Sequence, residues 1–403
     1  MTNEVYILDA LRTPRAKSRA PREDRPGGTL SQVPPHELVR QLIEAHCHRT
    51  SPLAEHISSL TLGCVGQINS QGGHIAHACK LAAKLEPSVT VQSINNYCVS
   101  GLTAVGNAAN AIAAGRTGVH LAGGVESLSQ VGFLADNASL YSDPALNWTP
   151  PIMGAELLAT LDGISKQDLD DLTLRSHQRA NAAWSDGKYQ PSVIPISDEN
   201  GTLLNRDEAI NPDLTMGILK EWQPAFTEQG AQGYDVIMLK RFPELNQISH
   251  VHSVLNCPAM VDAAALVSLA DRSTLEALGQ TPKARIKVWT EAADDSTLQL
   301  TGGMRAVDKL LEQTGLAIAD FDRIEFMEAF AATAVKFIRD YQPDMDKLNV
   351  NGGHLAMGHP LGATGAILLT TLVHELERCD GQLGLVVAQA GGGIGSALIV
   401  ERV

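Results

Sequence analysis

The same order of strands and helices occurs twice in this chain, in residues 1–124 and again in residues 283–403. The first copy runs strand, helix, strand, then strand, turn, helix and strand, in the segments VYILDA, PHELVRQLIEAH, SSLTLGCVGQ, SVTVQSINNYCVSGLTAVGNAANAIAAG and GVHLAGGVES. The second copy follows this order in RIKVWTEAA, MRAVDKLLEQTG, FDRIEFMEAFAATAVKFI, KLNVNGGHLAMGHPLGATGAILLTTLVHELE and LGLVVAQAGGGIGSALIVE. Although identity between the copies is low, we infer a structural duplication and an α/β fold with mostly buried strands.

The segment between the two copies has a different character. It contains adjacent prolines, a polar helix SKQDLDDLTLRSHQRANAAWSDG and irregular connections such as TEQGAQGYD. We therefore predict a first half made of residues 1–124 plus 253–282, an inserted loop domain of residues 125–252, and a second half of residues 283–403. Because loops that extend from a rigid scaffold often carry function, the loop domain is expected to contact a substrate.

Charge and cysteine usage argue against several classes of protein. The formal net charge of −14 disfavours a nucleic-acid partner, because binding phosphate backbones requires a positive face. The basic stretch from Arg12 to Arg25 contains two prolines, is followed by a third at Pro26, and is interpreted as a solvated loop rather than an anion site. The six cysteines form no C-x-x-C pair and no regular framework, so neither a disulfide scaffold nor a metal site is predicted.

The sequence also carries no signal for export or membrane insertion. Its start, MTNEVYILDALRTP, has no basic region followed by a long apolar stretch, and no run of about 18 apolar residues occurs. We expect a cytoplasmic protein with reduced cysteines and no membrane partner.

Cys98 stands in NNYCVSGLTAVGNAA, at the junction of a predicted strand and a small-residue helix. Backbone N–H groups and the positive end of a helix at such a junction stabilise a thiolate and an oxyanion on a bound carbonyl. Cys98 is therefore a potential nucleophile, and a buried structural cysteine is the alternative. The remaining cysteines are interpreted as structural: Cys47, Cys64, Cys79, Cys257 and Cys379.

His359 lies in NVNGGHLAMGHPLGATGA, at the equivalent strand-to-helix junction of the second copy. Two repeats that face each other across a pseudo-dyad would bring Cys98 and His359 together as a thiol–imidazole pair for acyl transfer. His354, five residues earlier, is interpreted as a surface or loop histidine rather than a second polar group of the site.

These motifs resemble those of the thiolase family, in its acetyl-CoA acyltransferase-like branch. The resemblance covers nearly the whole chain and rests on ILDALRTPRAK, CVSGL, AGGVESLS, RSHQRANAAW, NVNGGHLAMGHPLGATGA and GGGIGSALIVERV. It implies the thiolase fold, in which two similar α/β halves form a five-layer αβαβα sandwich and an inserted loop domain covers the substrate. It also implies a homodimer or homotetramer, and an acyl-CoA or acyl-carrier thioester as substrate with no further cofactor.

The resemblance also implies roles for particular residues. Cys98 is the nucleophile that becomes acylated, and His359 activates it. The backbone N–H groups of Cys98 and Gly391 form an oxyanion hole. Met153, which matches a methionine of the acyl pocket, and Phe330 are expected to bind substrate.

Three positions depart from the family's motifs. Met327 stands where an NEAF motif has an asparagine that holds a water, and a thioether cannot fix a water by a strong hydrogen bond. Gln389 replaces a second cysteine that moves protons on the α-carbon of the nucleophilic substrate. Pro258, in NCPAMVDAAAL, is expected to alter the pantetheine tunnel. Because general acid–base steps contribute about 10²–10⁴-fold, ordinary degradative thiolase turnover is expected to be severely reduced.

Three functions remain open. In the first, the acyl group on Cys98 enters carbon–carbon bond formation of the Claisen type, with the carbanion formed by decarboxylation or through His359 alone. In the second, the acyl group passes to an amine, a hydroxyl or water. In the third, the chain is a catalytically weak binding subunit, which the presence of both Cys98 and His359 disfavours. Nucleotide binding by GGGIG is also disfavoured, because no Lys-Ser/Thr pair follows and SALIVERV is typical of a strand.

Overall fold

The computed structural model describes residues 3–136, 141 and 143–403. The strands are β1 (Val5–Arg12), β2 (Ala16–Lys17), β3 (Ile57–Gly63), β4 (Thr90–Ile94), β5 (Val119–Glu126), β6 (Ile196–Asp198), β7 (Gly201–Leu204), β8 (Val261–Ala270), β9 (Ala284–Ala293), β10 (Arg323–Phe326), β11 (Leu383–Gln389) and β12 (Ile394–Arg402). The helices are α1 (Pro35–Arg49), α2 (Leu53–His56), α3 (Ile75–Ala82), α4 (Ser100–Ala113), α5 (Pro151–Leu161), α6 (Lys166–Ser185), α7 (Met216–Glu221), α8 (Thr227–Gln229), α9 (Asp235–Arg241), α10 (Arg272–Leu278), α11 (Gly302–Thr314), α12 (Ala331–Tyr341), α13 (His354–Met357) and α14 (Thr364–Cys379). In this described part of the chain, no helix has the length and apolarity needed to cross a membrane.

The main sheet repeats one strand order in its two halves. In the first half, β4, β3 and β5 are parallel, and β8 and β1 follow in antiparallel orientation. In the second half, β10 and β11 are parallel, and β12 and β9 follow in antiparallel orientation. A short antiparallel pairing of β1 with β9 joins the two half-sheets. The repeated order confirms the prediction of two similar α/β halves.

The strand predicted in KLNV is reduced to a single bridge between Leu348 and Ile324. Asn349 adopts a left-handed backbone with φ 45°, which turns the chain out of the sheet. Its side chain takes over the hydrogen bonding, because Oδ1 accepts the N–H of Phe326 at 2.8 Å and Nδ2 donates to the carbonyl of Phe326 at 2.9 Å. The prediction of a strand was therefore wrong, since an amide side chain replaces the ladder here.

The helices form three layers around the two half-sheets. Helices α4 and α14 pack against each other in the middle, where α4 contacts β3 and β5 of the first half and β9 and β12 of the second. Helix α4 fits between two sheets because it is built mainly from small residues, in the sequence SGLTAVGNAANAIA. Helices α1 and α3 cover the outer face of the first half, and α11 and α12 cover that of the second. This arrangement confirms the predicted five-layer sandwich.

The chain between β5 and β8 leaves the sheet and packs on the second half. Helices α5 and α6 contact α12, and α6 also contacts α13. A capping box formed by Ser165 and Asp168 starts α6. The inserted segment thereby contacts α13, which ends two residues before His359.

Two residues of the basic stretch are fully buried, so the prediction of a solvated loop is wrong for Arg12 and Arg15. Arg12 forms a bidentate ion pair with Asp207 of the inserted segment, with both N–O distances 2.8 Å. Arg15 donates from Nη1 to the carbonyl of Gly358 at 2.9 Å. The carboxylate supplied from the inserted segment offsets the cost of desolvating the guanidinium groups. The outer residues of the stretch are exposed as predicted: Arg19, Arg22 and Arg25.

Candidate active site

Cys98 lies in the turn between β4 and α4. Tyr97 has a left-handed φ of 47°, and its N–H donates to Oδ1 of Asn95 at 3.1 Å. The carbonyl of Tyr97 accepts both the N–H and the hydroxyl of Ser100, the first residue of α4, at 3.0 and 2.5 Å. Burial raises the pKa of the Cys98 thiol to about 12, although a hydrogen bond from the N–H of Gly391 acts in the opposite direction. The thiol is therefore protonated at neutral pH.

His359 lies in the corresponding turn before α14. Its backbone N–H donates to the carbonyl of Ala259 at 2.8 Å, and its Nδ1 shares a 2.7 Å hydrogen bond with the hydroxyl of Thr364. With Nδ1 engaged, Nε2 is the ring nitrogen available for proton exchange. Burial, and secondly the charge of Arg15, lower the pKa of His359 to about 3, so its imidazole is neutral.

Glycines bring these two turns together. A Cβ on Gly101, in CVSGL, would lie 2.6 Å from the carbonyl oxygen of Gly362, in HPLGATG. Because neither residue has a side chain, the backbone of α4 can pack directly against the backbone of the turn before α14. As a result, Cys98 and His359 line the same cavity.

Replacing Gly101 by alanine tests this close approach. The added methyl group meets the backbone of Gly362, so we expect the free energy of unfolding to fall by about 1–3 kcal/mol. Gly217→Ala, on α7, is a matched control, because the new Cβ would meet only the Thr215 hydroxyl, at 3.6 Å. Urea unfolding followed by circular dichroism measures both variants. Equal stability of the two variants would show that the contact at Gly101 is not tight.

The shared cavity has a volume of about 400 Å³ and a mostly apolar wall. Besides Cys98 and His359, the wall contains several residues that the sequence singled out: Pro258, Met327, Phe330 and Gly391. Met153 is different, because it is fully buried in the hydrophobic core and does not reach the wall. Pro151, from the same helix α5, lies on the wall instead.

Gln389 and Met327, the two altered motif positions, contact each other. The Nε2 of Gln389 donates to the carbonyl of Met327 at 3.1 Å, and the Gln389 N–H points to the Met327 sulfur at 3.5 Å. Met327 lies on the cavity wall, whereas Gln389 is fully buried behind it. Within the described residues, Oε1 of Gln389 has no hydrogen-bond partner. Neither side chain can give a proton to a substrate or accept one from it near neutral pH.

Gln299 holds the glycine loop between β11 and β12 and was missed by the sequence analysis. Its Oε1 accepts the N–H of Gly392 at 2.6 Å, its Nε2 donates to the carbonyl of Thr149 at 2.7 Å, and its own carbonyl accepts the N–H of Gly393 at 2.7 Å. A Cβ on Gly391 would lie 3.0 Å from the amide oxygen of Gln299. These contacts fix the direction of the Gly391 N–H. No motif or periodicity marks Gln299, so only the three-dimensional contacts identify it.

His354 is buried beside His359, so the prediction of a surface or loop histidine is wrong. The two rings are nearly perpendicular, with centroids 5.8 Å apart. His354 starts α13, and the packing of α13 against α6 of the inserted segment removes the side chain from water. Burial lowers the pKa of His354 well below its usual value, and within the described residues neither ring nitrogen has a hydrogen-bond partner. The described residues contain no His, Cys, Asp or Glu cluster suited to a metal ion.

The raised pKa of Cys98 predicts an unusual pH profile for alkylation. Only the thiolate reacts with iodoacetamide, and with a pKa of about 12 its fraction grows with pH throughout the neutral range. We expect the rate constant at Cys98 to rise about tenfold per pH unit from about pH 6 to pH 9, without a plateau. Peptide mass spectrometry separates Cys98 from the other cysteines, and Cys98→Ala is the control. A plateau near neutral pH would instead reveal a stable ion pair with His359.

Comparison with known proteins agrees with the motifs. The family model "Thiolase, N-terminal domain" matches residues 5–232, and the model "Thiolase, C-terminal domain" matches residues 280–402. A 3-ketoacyl-CoA thiolase of Klebsiella pneumoniae is 33% identical, over 99% of this chain and 100% of the relative, and one of Bacillus subtilis is 30% identical, over 99% of each. The 3-oxoadipyl-CoA/3-oxo-5,6-dehydrosuberyl-CoA thiolase of Escherichia coli is 34% identical, over 99% of this chain and 100% of the relative. The chain therefore belongs to the thiolase family.

Proposed function

We propose that this protein is an acyltransferase that carries the acyl group of an acyl-CoA or acyl-carrier thioester on Cys98. The observation that carries the proposal is that Cys98, His359 and Gly391 line one cavity. The relatives named as 3-ketoacyl-CoA thiolases support a coenzyme A thioester as the donor.

In the first half-reaction, the thiol proton of Cys98 passes to Nε2 of His359 while the sulfur forms a bond with the thioester carbonyl carbon. The bond from that carbon to the sulfur of coenzyme A then breaks, and the leaving thiolate takes the proton from His359. Because the pKa of Cys98 is about 12 and that of His359 about 3, a free thiolate–imidazolium pair is unfavourable. Proton transfer therefore accompanies formation of the carbon–sulfur bond.

The charge that develops on the carbonyl oxygen needs hydrogen-bond donors. The backbone N–H groups of Cys98 and Gly391 are our candidates, because Gln299 and the glycine loop hold Gly391 in a fixed orientation. The start of α4, at Ser100, adds the positive end of a helix. These groups are in place before substrate binds, which lowers the reorganisation needed in the transition state.

In the second half-reaction, we propose carbon–carbon bond formation with impaired degradative cleavage. Gln389 and Met327 supply no acid or base, so the α-carbon nucleophile has to arise in another way. Decarboxylation of a malonyl-type partner meets this need, since its carbon–carboxylate bond breaks and leaves the electron pair on the α-carbon. Carbon dioxide leaves, the α-carbon attacks the acyl carbonyl carbon, the bond from that carbon to the Cys98 sulfur breaks, and the released thiolate takes a proton from water to regenerate the thiol. Proton abstraction by His359 alone is the other route.

Two further functions are supported less well. Transfer of the acyl group to an amine, a hydroxyl or water needs no α-carbon base and fits the same set of residues. A binding subunit without catalysis would not need Cys98 and His359, yet both side chains lie on the cavity wall.

Product analysis separates these functions. The enzyme is first acylated with an acyl-CoA, and malonyl-CoA, acetyl-CoA, simple amines or alcohols are then added in parallel. We expect a 3-oxoacyl product with malonyl-CoA and little product with acetyl-CoA. An amide, an ester or the free acid as the main product would overturn carbon–carbon bond formation. We also propose a homodimer or homotetramer, which multi-angle light scattering measures.

A further inference from the structure

Aromatic side chains are concentrated on the wall of the active cavity. They make up 4% of the chain, yet five of them line this cavity: Tyr97, Phe133, Tyr141, Trp148 and Phe330. The rings of Tyr141 and Trp148 lie 5.5 Å apart, and the hydroxyl groups of Tyr97 and Tyr141 hydrogen-bond at 2.7 Å. These side chains have few rotatable bonds and present broad apolar faces.

Several polar side chains on this wall are already engaged within the protein, whereas the Ser296 hydroxyl and the Trp148 indole N–H stay available to a ligand among the described residues. The two tyrosine hydroxyls bind each other, and the amide of Gln299 uses its oxygen for Gly392 and its nitrogen for Thr149. Cys98 and His359 belong to the reaction itself. A polar group along the acyl chain would therefore lose water and find few free partners on a mostly apolar wall.

No charged side chain lines the cavity among the described residues. Residues 137–140 and 142, which the structure does not describe, are Asn, Ala, Ser, Leu and Ser in the sequence and carry no charge either. Two groups that act on the cavity side chains, Glu126 and Asp136, are carboxyl groups and not cations. Burial is the largest cause of the raised pKa of Cys98, and Glu126 raises it further. Burial is also the largest cause of the raised pKa of Tyr97, to which Asp136 contributes.

One buried cation, Arg15, influences the pKa of His359 but supplies no counter-charge on the cavity wall. Its side chain is fully buried, does not line the cavity, and donates to the carbonyl of Gly358. A carboxylate at the far end of an acyl chain would therefore be buried without a counter-charge, which is strongly unfavourable.

We infer that the acyl group carried by Cys98 is uncharged and apolar, and that dicarboxylic acyl thioesters are excluded from the cavity. This inference rests on the acyl-enzyme proposed above and narrows its substrate class. Sequence similarity does not supply it, because the Escherichia coli relative, at 34% identity, is named for 3-oxoadipyl-CoA, whose acyl chain ends in a carboxylate.

Acylation rates with matched donors test the inference. Octanoyl-CoA, phenylacetyl-CoA and adipyl-CoA are compared at equal concentration, and the mass added to the intact protein is followed over time. We expect adipyl-CoA to acylate Cys98 at least about 100-fold more slowly than the faster of the two apolar donors, since each tenfold corresponds to 1.36 kcal/mol. Acylation by adipyl-CoA at a similar rate would overturn this inference and leave the acyl-enzyme intact. Absence of acylation by any donor would overturn both.

A variant that adds a positive charge to the cavity wall tests whether the missing counter-charge is what excludes dicarboxylic acyl groups. Phe133 lines the cavity and is 49% exposed, so its replacement leaves the core packing in place. We expect Phe133→Arg to raise the adipyl-to-octanoyl rate ratio at least about tenfold over Phe133→Gln, because only arginine pairs with the carboxylate. If both variants give the same ratio, the missing counter-charge is not what excludes the dicarboxylate, and the inference is overturned.

Discussion

Replacing Gln389 by cysteine together with Met327 by asparagine is expected to raise the thiolytic cleavage of a 3-oxoacyl-CoA by about 10²–10⁴-fold, the usual contribution of a general acid–base group. Cysteine provides a titratable thiol where the amide has none. Asparagine provides a hydrogen-bonding side chain in place of the Met327 thioether, which lies on the cavity wall in front of residue 389. Release of acyl-CoA in the presence of free coenzyme A measures the rate.

The single variants and one control show whether the thiol is responsible. Because Gln389 and Met327 contact each other, we expect their effects not to be additive. Each single replacement should raise the logarithm of the cleavage rate by less than half of the increase in the double variant. Gln389→Ser with Met327→Asn removes the same amide but adds no thiol, and we expect it to remain near the parent rate. If the cysteine pair gives no gain either, proton transfer at position 389 is not what limits cleavage.

Replacing His359 by asparagine is expected to slow acylation of Cys98 by about 10²–10⁴-fold. Asparagine can still hydrogen-bond to Thr364, but it cannot accept the thiol proton. Stopped reactions with an acyl-CoA, analysed by intact-protein mass spectrometry, give the rate.

His374→Asn is the matched control for this variant. His374 is also a buried histidine and lies on the central helix α14, but its Nε2 lies 2.9 Å from the carbonyl of Ala10 and it is not on the cavity wall. We expect its acylation rate to stay within about threefold of the parent. A His359→Asn protein that is acylated as fast as the control would remove His359 from the chemistry.

The fold was largely predictable because its signals are local and occur twice. Strand and helix periods gave the two halves, and the glycines of CVSGL and HPLGATG marked the turns that carry Cys98 and His359. Gly101 and Gly362 explain these motifs physically, since each permits a backbone approach that a side chain would block.

The remaining features depend on contacts between distant parts of the chain. Arg12 is buried because Asp207, far along the sequence, supplies its counter-charge. His354 is buried because α6 of the inserted segment covers it. The sequence marked Gln389 as an altered position, but only the packing shows that its amide bonds to Met327 and stays behind the cavity wall. Periodicity and motifs carry no information on such long-range partners.

The most direct test of covalent catalysis is the intact mass of the protein after brief incubation with an apolar acyl-CoA and an acid quench. We expect the parent protein to gain the mass of one acyl group and Cys98→Ala to gain none. Labelling that persists in Cys98→Ala, or no labelling of the parent protein with any acyl-CoA or acyl-carrier donor, would contradict an acyl-enzyme at Cys98.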